Sequence, residues 1–242
     1  AAIEAGKGLK AAIAERMGDE WGVDPGEVEI DDGWVFCGGD NARRASFAEV
    51  FELSGSLRVI GRHEIDLPRP DPKTGYGHYA ATYGFGAQAV ELEVDPATGH
   101  VTVLRVVVVQ DIGRVINPLT LEGQMHGGIV QGIGMALQEE LVLDHGQPVN
   151  SSMINYRVPR AVEAPLIECA FIETEDGTGP YGAKAGGEHS INPTIAAIGN
   201  AIGDATGVYL KTLPMTPQKL LAELSRGSGK LPATKPWKRP FN

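Results

Sequence analysis

Alternating apolar and polar residues predict a β-hairpin near the middle of the chain. Residues 88–94 alternate strictly, residues 95–99 have the composition of a turn, and residues 101–110 form a second, almost continuously apolar strand. This second strand is apolar on both faces at positions 106–109, so we expect it to lie at the centre of a sheet covered by helices. The pattern therefore predicts an α+β fold in which mixed sheets pack with helices.

Helical periodicity is found in four other stretches, over residues 1–17, 121–140, 193–206 and 217–224. Asn192 is expected to cap the third helix, Gly207 to end it, and Thr216 to cap the fourth. The shorter predicted elements are a hairpin over 27–36 turning at Asp32-Gly33, a helix capped by Ser46, an extended connection over 60–83 and a strand over 167–174.

The helix predicted over 121–140 is unusually rich in glycine, with glycines at positions 123, 127, 128, 132 and 134. Each glycine costs roughly 1 kcal/mol relative to alanine in a helix interior. Such a cost is compensated where the backbone approaches another helix or a ligand closely. We therefore expect a close contact along this helix, with Gln131 in the middle of the glycine-rich stretch.

Composition and charge restrict the classes of function. The chain has 242 residues, 42% of them hydrophobic, and a net charge of -10, so it can bury a core but lacks a basic stripe for nucleic acid. The segment over 226–242 is a basic, proline-containing tail. The two cysteines have no metal-ligand or disulfide-framework spacing, and no apolar run suits a membrane span or a signal peptide. These features predict a cytoplasmic protein.

The sequence disfavours three common kinds of site. Residues 84–89 resemble a dinucleotide fingerprint, but they lead into a strand rather than a helix, so close backbone contact at a strand entrance explains Gly84 and Gly86 better. Ser151 and Ser152 lie in a polar loop without a nucleophile elbow. The histidines are scattered, which disfavours a His-built metal site.

A glycine-rich loop over residues 179–188 ends in one acid, Glu188, shortly before the helix predicted at Pro193. Glycines let the backbone approach a large group, and Glu188 would stand at the edge of that group. An acid at this position can instead interact with the helix N-terminus, so the residue types alone leave both interpretations open. Asp111, Arg114 and Asn117 follow the central strand, where a ligand or the turn itself would use them.

Four segments occur in the order and spacing of a known family. They are Gly-Arg-Val-Ile-Asn-Pro over 113–118, the glycine-rich run over 122–134, Gly-Ala-Lys-Ala-Gly-Gly-Glu over 182–188 and Leu-Pro-Met-Thr-Pro over 213–217. Together they resemble the C-terminal part of the molybdenum-binding subunit of the xanthine dehydrogenase, aldehyde oxidase and carbon monoxide dehydrogenase family. The resemblance implies that residues 1–225 form the C-terminal half of a molybdopterin-binding domain, as one region or as two α+β subdomains.

The resemblance also assigns roles to residues. Glu188 matches the catalytic glutamate of the family, a general base acting on the water or hydroxo ligand of the metal. No side chain ligates the metal there, because the dithiolene sulfurs of the pterin hold it. Lys184 would help to hold the loop or the anionic cofactor, or would form a structural ion pair. The implied cofactor-contacting residues are Gly127, Gly128, Ile129, Val130, Gln131, Lys184, Ala185, Gly186 and Gly187, with the glycines offering backbone N–H groups and Gln131 its amide.

By the same resemblance, the chain is part of an oxidoreductase that oxidises an electron-poor carbon of an aromatic, N-heterocyclic or aldehyde substrate with oxygen from water. The implied cofactor is molybdenum-molybdopterin, in a dinucleotide form such as the cytosine dinucleotide. Upstream cofactor segments of the family are absent here, so we expect a fragment or subunit that needs an N-terminal half. Electrons would leave through 2Fe-2S clusters and FAD on partner subunits.

Two other functions remain open at the level of the sequence. An aromatic acyl-CoA reductase of the hydroxybenzoyl-CoA type would use the same fold with electrons running toward the substrate. A noncatalytic assembly or interaction chain would keep the fold without the chemistry. Assays in both redox directions would separate the first, and a purified complex lacking pterin would favour the second.

Overall fold

The computed structural model describes residues 1–38, 40–65, 67 and 69–227, and the chain divides into two compact units, residues 1–81 and 82–242. Both units contain helices and sheets, which confirms the α+β class. The described residues between the last helix of the first unit and the first strand of the second contain neither helix nor strand, as predicted for 60–83. Most of the predicted basic tail, residues 228–242, lies outside the described residues.

In the first unit, two helices pack on a three-stranded antiparallel sheet. Met17, Val35 and Val50 come from helix, strand and helix respectively, and each is 0% exposed in one shared core. The elements are α1 Ala2–Trp21, β1 Val28–Asp31, β2 Trp34–Cys37, β3 Asp40–Ser46 and α2 Phe47–Ser54.

The structure confirms two local predictions in this unit and adds a strand. Strands β1 and β2 pair across Asp32-Gly33, and α2 begins with a reciprocal capping box between Ser46 and Glu49. Strand β3 was not predicted, because its sequence is polar and rich in arginine. Its pairing with β2 buries Ala45 and brings Arg44 to 3.6 Å from the ring centroid of Trp34.

The second unit is built on a three-stranded mixed sheet in the order β4 (Gly86–Val94), β5 (Val101–Asp111) and β8 (Leu166–Ile172). Strands β4 and β5 form the predicted antiparallel hairpin, and β5 pairs in parallel with β8. The elements are β4 Gly86–Val94, β5 Val101–Asp111, α3 Pro118–Leu137, β6 Leu143–Asp144, β7 Gln147–Pro148, β8 Leu166–Ile172, α4 Ile191–Thr206 and α5 Pro217–Ser225.

Strand β5 is central, as predicted, but its two faces are covered unequally. Val106 and Val108 are 0% and 1% exposed and share a core with Ile129 of α3 and Ile198 of α4. The side chains at 107 and 109, on the opposite face, are only half-buried. The predicted covering by helices is therefore confirmed for one face of the strand in the described part of the chain, where α3 and α4 both pack.

The structure also moves two predicted helix starts. Helix α3 begins at Pro118, because the Asn117 side chain accepts the Thr120 N–H at 3.2 Å. Helix α4 begins at Ile191, so the prediction that Asn192 caps it is wrong; Ser190 is at the N-cap without a side-chain cap bond. Gly207 and Thr216 end α4 and cap α5 as predicted. None of the helices in the described ranges is long and apolar enough to cross a membrane.

Candidate active site

The loop that carries Glu188 begins against the turn after strand β5. Gly113 and Gly182 both have positive φ, and a Cβ on Gly113 would lie 2.3 Å from the Gly182 carbonyl oxygen. Only glycine permits this approach of the two turns. The Lys184 N–H then donates to the Ile112 carbonyl at 2.7 Å. The start of the loop is thus fixed by backbone contacts to the end of the central strand.

The Lys184 side chain strengthens this attachment. Its Nζ lies 2.7 Å from Asp111 Oδ2, in a pair whose side chains are 10% and 8% exposed. It also donates to Thr174 Oγ1 at 3.0 Å and to the Tyr83 carbonyl at 3.2 Å. Hydrogen bonds from Lys184 and then from Thr174 lower the pKa of Asp111 to about 2. Lys184 therefore forms a structural ion pair.

The other end of the loop is held by strand β4. The Ser190 carbonyl accepts hydrogen bonds from Gln88 Nε2 at 2.6 Å and from Thr194 Oγ1 at 2.7 Å. The Ile191 N–H donates to the Glu188 carbonyl at 3.2 Å, which ties the acid to the first turn of α4. Glu188 therefore lies between two anchored points, Lys184 before it and Ser190 after it.

The middle of the loop lies over the first turns of α3. A Cβ on Gly186 would lie 2.8 Å from the Leu121 side chain, whereas one on Gly187 would lie 3.7 Å from Gln124 Nε2. Ala185, Gly187 and Glu188 are exposed. Within the part of the chain that the structure describes, the Glu188 carboxylate has no hydrogen-bond or ionic partner, so it is available to an outside group.

Four of the five glycines of α3 form two pairs on different sides of the helix. A Cβ on Gly128 would lie 2.0 Å from Ser190 Oγ, and one on Gly132 would lie 2.7 Å from Thr194 Cβ. These two glycines let α3 approach α4, which confirms the predicted close contact. By contrast, a Cβ on Gly123 or Gly127 would meet nothing within 4 Å in the described part of the chain. This second pair leaves an open, flat strip on the helix surface.

The predicted cofactor-contacting residues of α3 are therefore in different environments. Gly127 and Gln131 are exposed, Gly128 and Val130 are half-buried, and Ile129 is 0% exposed in the core. Because N–H groups inside an α-helix bond to carbonyls four residues earlier, Gly127 and Gly128 cannot offer theirs to a ligand. Gly127 exposes backbone without a side chain on the surface of α3. Ile129 is buried in the core on the other side of the helix.

Sequence reasoning missed two residues of the site, Gln124 and Thr174. Gln124 lies beside Gly187 on the same exposed face of α3 as Gly127 and Gln131, a position its helical spacing could have revealed. Asp111 was predicted to serve a ligand or the turn itself, and Thr174 was predicted only as the end of a strand. Their meeting with Lys184 depends on contacts across 73 and 10 positions in the sequence, which no local pattern reports.

An open cleft of about 350 Å³ lies between the start of β4 and the start of α4 and is lined by His189, the residue after Glu188. A Cβ on Gly84 would lie 2.5 Å from the His189 ring, and one on Gly86 would lie 2.3 Å from Gln110 Oε1. These contacts confirm that the glycines before β4 serve close approach at a strand entrance. The dinucleotide fingerprint is correspondingly absent, since Gly86 begins a strand.

The exposed face of α3 and the Glu188 loop together suit a large, polar, planar group. Gly127 and Gly187 provide open backbone surface, while Gln124 and Gln131 have amides without partners among the described residues and can both donate and accept. Glu188 adds one carboxylate at the edge. Among the described residues, no group of three His, Cys, Asp or Glu side chains could hold a metal ion. Cys37 and Cys169 are free thiols.

The second unit has a mixed sheet, two helices that approach each other at glycines, and a glycine-rich loop that carries an acid. Comparison with known protein families identifies the family to which this fold belongs. Residues 1–165 match the family model described as "Molybdopterin cofactor-binding domain". The chain belongs to this family, whose members are molybdopterin-dependent oxidoreductases.

Two curated relatives extend this comparison. A putative xanthine dehydrogenase molybdenum-binding subunit of Escherichia coli K12 is 44% identical over 141 residues, covering 57% of this chain and 19% of the relative. An aldehyde oxidoreductase molybdenum-binding subunit of the same organism is 32% identical over 218 residues, covering 88% of this chain and 28% of the relative. The chain thus spans less than a third of the length of either relative.

The second match reaches beyond the family model. A match over 88% of the chain leaves less of the sequence unmatched than the segment from Glu188 to the last residue contains. The match therefore extends past Glu188. A solved structure, quinoline 2-oxidoreductase from Pseudomonas putida 86, superposes with a TM-score of 0.62 at 26% identity, covering 90% of this chain and 28% of that one. The likeness therefore includes both units of the chain.

Proposed function

We propose that this chain is the Glu188-bearing part of a molybdenum hydroxylase, with Glu188 as the general base. One observation carries the proposal: the exposed Glu188 carboxylate, which has no partner among the described residues, stands on a glycine loop anchored at both ends, beside an open glycine and glutamine face of α3. A general base must reach the proton that it accepts, and this arrangement leaves Glu188 free to do so.

The residues that would hold the cofactor are those of the open face. Gln124 and Gln131 would bond to its polar edges, and the bare backbone at Gly127 and Gly187 would let it lie close to the chain. Molybdenum in such a cofactor supplies two-electron oxidation at a substrate carbon. We propose a dinucleotide form of the pterin, since the exposed glycine strip continues along α3 to Gly123 and offers room for a long ligand.

Glu188 would accept a proton at a carboxylate oxygen during the attack of a water-derived oxygen on the substrate. General-base catalysis of this kind contributes roughly 100-fold to 10,000-fold. In this chain Glu188 is exposed, and a base works best when bulk water is excluded around it. We infer that the cofactor and a further polypeptide, equivalent to the rest of the longer relatives, cover the carboxylate in the active complex.

We propose an electron-poor aromatic, N-heterocyclic or aldehyde substrate, in keeping with the named relatives. The oxidation releases electrons, and the described residues contain no iron-sulfur or flavin motif, so partner subunits with 2Fe-2S clusters and FAD would receive them. The two cysteines are free thiols, which fits a reducing compartment, and we propose the cytoplasm.

The test is to purify the native complex that contains this chain and to measure molybdenum and pterin per chain. Turnover is then assayed with xanthine, benzaldehyde and quinoline, in both redox directions, for the unchanged complex and for Glu188→Gln. We expect molybdenum near one per chain in both, and turnover lower by roughly 100-fold to 10,000-fold in the variant.

The outcomes separate the candidate functions. A metal-free, pterin-free intact complex would favour the noncatalytic assembly chain. Turnover only in the reducing direction would favour the acyl-CoA reductase, for which benzoyl-CoA and hydroxybenzoyl-CoA are the added probes. Normal turnover of Glu188→Gln at normal molybdenum content would refute the role of Glu188 and leave the family assignment intact.

A further inference from the structure

We propose that Asp111 is a positioning residue for Glu188 and that it acts through Lys184. The inference rests on the proposed function of Glu188 as the base. In this proposal the Lys184 ammonium bonds to groups inside the chain and does not bind the cofactor. The proposal also gives the strand-end acid Asp111 a role in positioning the proposed base.

The donor count of Lys184 supports this assignment. A lysine ammonium has three N–H donors. Three acceptors surround it inside the chain: Asp111 Oδ2 at 2.7 Å, Thr174 Oγ1 at 3.0 Å and the Tyr83 carbonyl at 3.2 Å. With every donor used and the side chain 10% exposed, Lys184 has none left for an anionic cofactor.

The three side chains form a closed ring. Thr174 donates its hydroxyl to Asp111 Oδ1 at 2.6 Å and accepts from Lys184, while Asp111 Oδ1 also accepts the Gly113 N–H at 3.1 Å. The ring therefore joins the end of β5, the segment after β8 and the beginning of the Glu188 loop. Thr174 is exposed, but the Lys184 and Asp111 side chains are only 10% and 8% exposed, so removing either charge leaves the other one poorly solvated and unpaired.

The loop needs such a clamp because of its composition. Only Ala185, Gly186 and Gly187 separate Lys184 from Glu188, and glycine restricts the backbone least of all residues. The Ser190 carbonyl holds the far side through Gln88 and Thr194. If the Lys184 side were released, the Glu188 carboxylate would sample many positions, and a misplacement of about 1 Å at a reacting group can cost on the order of 100-fold in rate.

The first test measures hydrogen exchange and needs neither substrate nor cofactor. The variants are Asp111→Asn, Lys184→Met and the milder Thr174→Val, which opens the ring without changing its charge. The reporters are the Lys184 amide, bonded to the Ile112 carbonyl, and the Ile191 amide, bonded to the Glu188 carbonyl. We expect both amides to exchange at least roughly tenfold faster in each variant, while amides of Val106 and Val108 keep their protection as evidence of an intact core.

Asp176→Asn is the matched control. Hydrogen bonds from Thr178 lower the pKa of Asp176 to about 2, so this acid resembles Asp111, but among the described residues it has no hydrogen bond or ion pair with Lys184. Asp176→Asn should leave both reporter amides unchanged. Faster exchange at Lys184 alone, with Ile191 unaffected, would show that the clamp is local and would overturn the proposal, as would unchanged exchange at both amides.

The second test uses the native complex. Asp111→Asn, Lys184→Met and Thr174→Val should keep the molybdenum content, lower kcat by roughly 10-fold to 100-fold and leave KM unchanged, because the base and not substrate binding is disturbed. The double variant Asp111→Asn/Lys184→Met should be no slower than the slower single variant, since both act on one ring.

Loss of molybdenum in Lys184→Met alone would show that Lys184 binds the cofactor and would overturn the proposal. Normal kcat in all three variants would do the same. If Glu188→Gln is slow while the ring variants are normal, only the positioning role fails. If Glu188→Gln is itself normal, the proposed base fails independently of the hydrogen-exchange result.

Discussion

Two alanine substitutions in helix α3 should change stability in opposite directions. Gly127 and Gly132 lie in the interior of the same helix, so both replacements gain the same helix propensity, roughly 1 kcal/mol. The difference lies in what the new Cβ meets. A Cβ on Gly127 meets nothing within 4 Å, whereas one on Gly132 lies 2.7 Å from Thr194 Cβ and 2.9 Å from Thr194 Cγ2.

Gly127→Ala should therefore stabilise the chain by about 1 kcal/mol, which raises the Tm by about 2–4 °C for a chain of this size. In Gly132→Ala, Thr194 cannot move aside easily, because it is 0% exposed and bonded to Gln88 and the Ser190 carbonyl. Overpacking costs about 1–3 kcal/mol. After the propensity gain of about 1 kcal/mol, we expect a net loss of about 0–2 kcal/mol.

The assay must report the second unit. Two of the three tryptophans, Trp21 and Trp34, lie in residues 1–81, and the third, Trp237, lies outside the described residues, so tryptophan fluorescence is not a specific reporter of the contact between α3 and α4. Thermal unfolding by circular dichroism, together with hydrogen exchange of the Ile198 and Ile202 amides in α4, reports the contact between α3 and α4. A Gly132→Ala chain as stable as Gly127→Ala would refute the packing argument, and so would a Gly127→Ala chain that is not stabilised.

The same substitution also tests the proposed cofactor face. In the native complex, Gly127→Ala should lower the molybdenum content although the chain is more stable, because its methyl group stands on the open strip. The stability of the chain would then rise while its molybdenum content falls. General damage to the fold would lower both. Full molybdenum content in this variant would exclude Gly127 from the cofactor surface.

Three further predictions concern acid stability, capping and the loop. The folded-state pKa of Asp111 and of Asp176, about 2 for each, is below the unfolded value of about 4, so the stability they contribute is complete above about pH 4 and is lost as the pH falls from 4 to 2. Urea unfolding across this range should show a shallower pH dependence for Asp111→Asn, and an unchanged dependence would refute the pairing. Asn117→Ala should cost about 1 kcal/mol of unfolding free energy because it removes the α3 cap, while Asn192→Ala should cost much less; equal losses would contradict the observed start of α4. Gly187→Val should leave the Tm unchanged, since its Cβ makes only ordinary contact with Gln124, yet lower the molybdenum content. A matched Gly177→Val change, at another exposed glycine without close neighbours, should keep that content, and equal loss in both would point to unfolding.

The sequence by itself determined the elements that depend on neighbouring residues. The hairpin from β4 to β5, the capping box of Ser46 and the C-terminal Gly207 of α4 all result from interactions within a few positions, so local patterns predict them. The family motifs likewise predict a site at Glu188 and in the segments over 127–131 and 184–188, and this assignment stays a prediction.

Only the tertiary structure decided how those residues are used. The glycines of α3 look alike in sequence, yet Gly128 and Gly132 serve contact with α4 while Gly123 and Gly127 stay open. Strand β3 formed despite its polar sequence, because pairing with β2 and burial of Ala45 outweighed its local preference.

Lys184 shows the limit most clearly. From the sequence, Lys184 was equally compatible with a cofactor contact and with a structural ion pair. In the structure its three N–H donors bond to Asp111, Thr174 and the Tyr83 carbonyl. These partners come from separate segments that meet only when the sheet forms. Local sequence patterns predict helices, strands and turns because the interactions that form them join residues close in sequence. The partners of a buried charge come from distant segments, so they are decided only when the fold brings those segments together and excludes water.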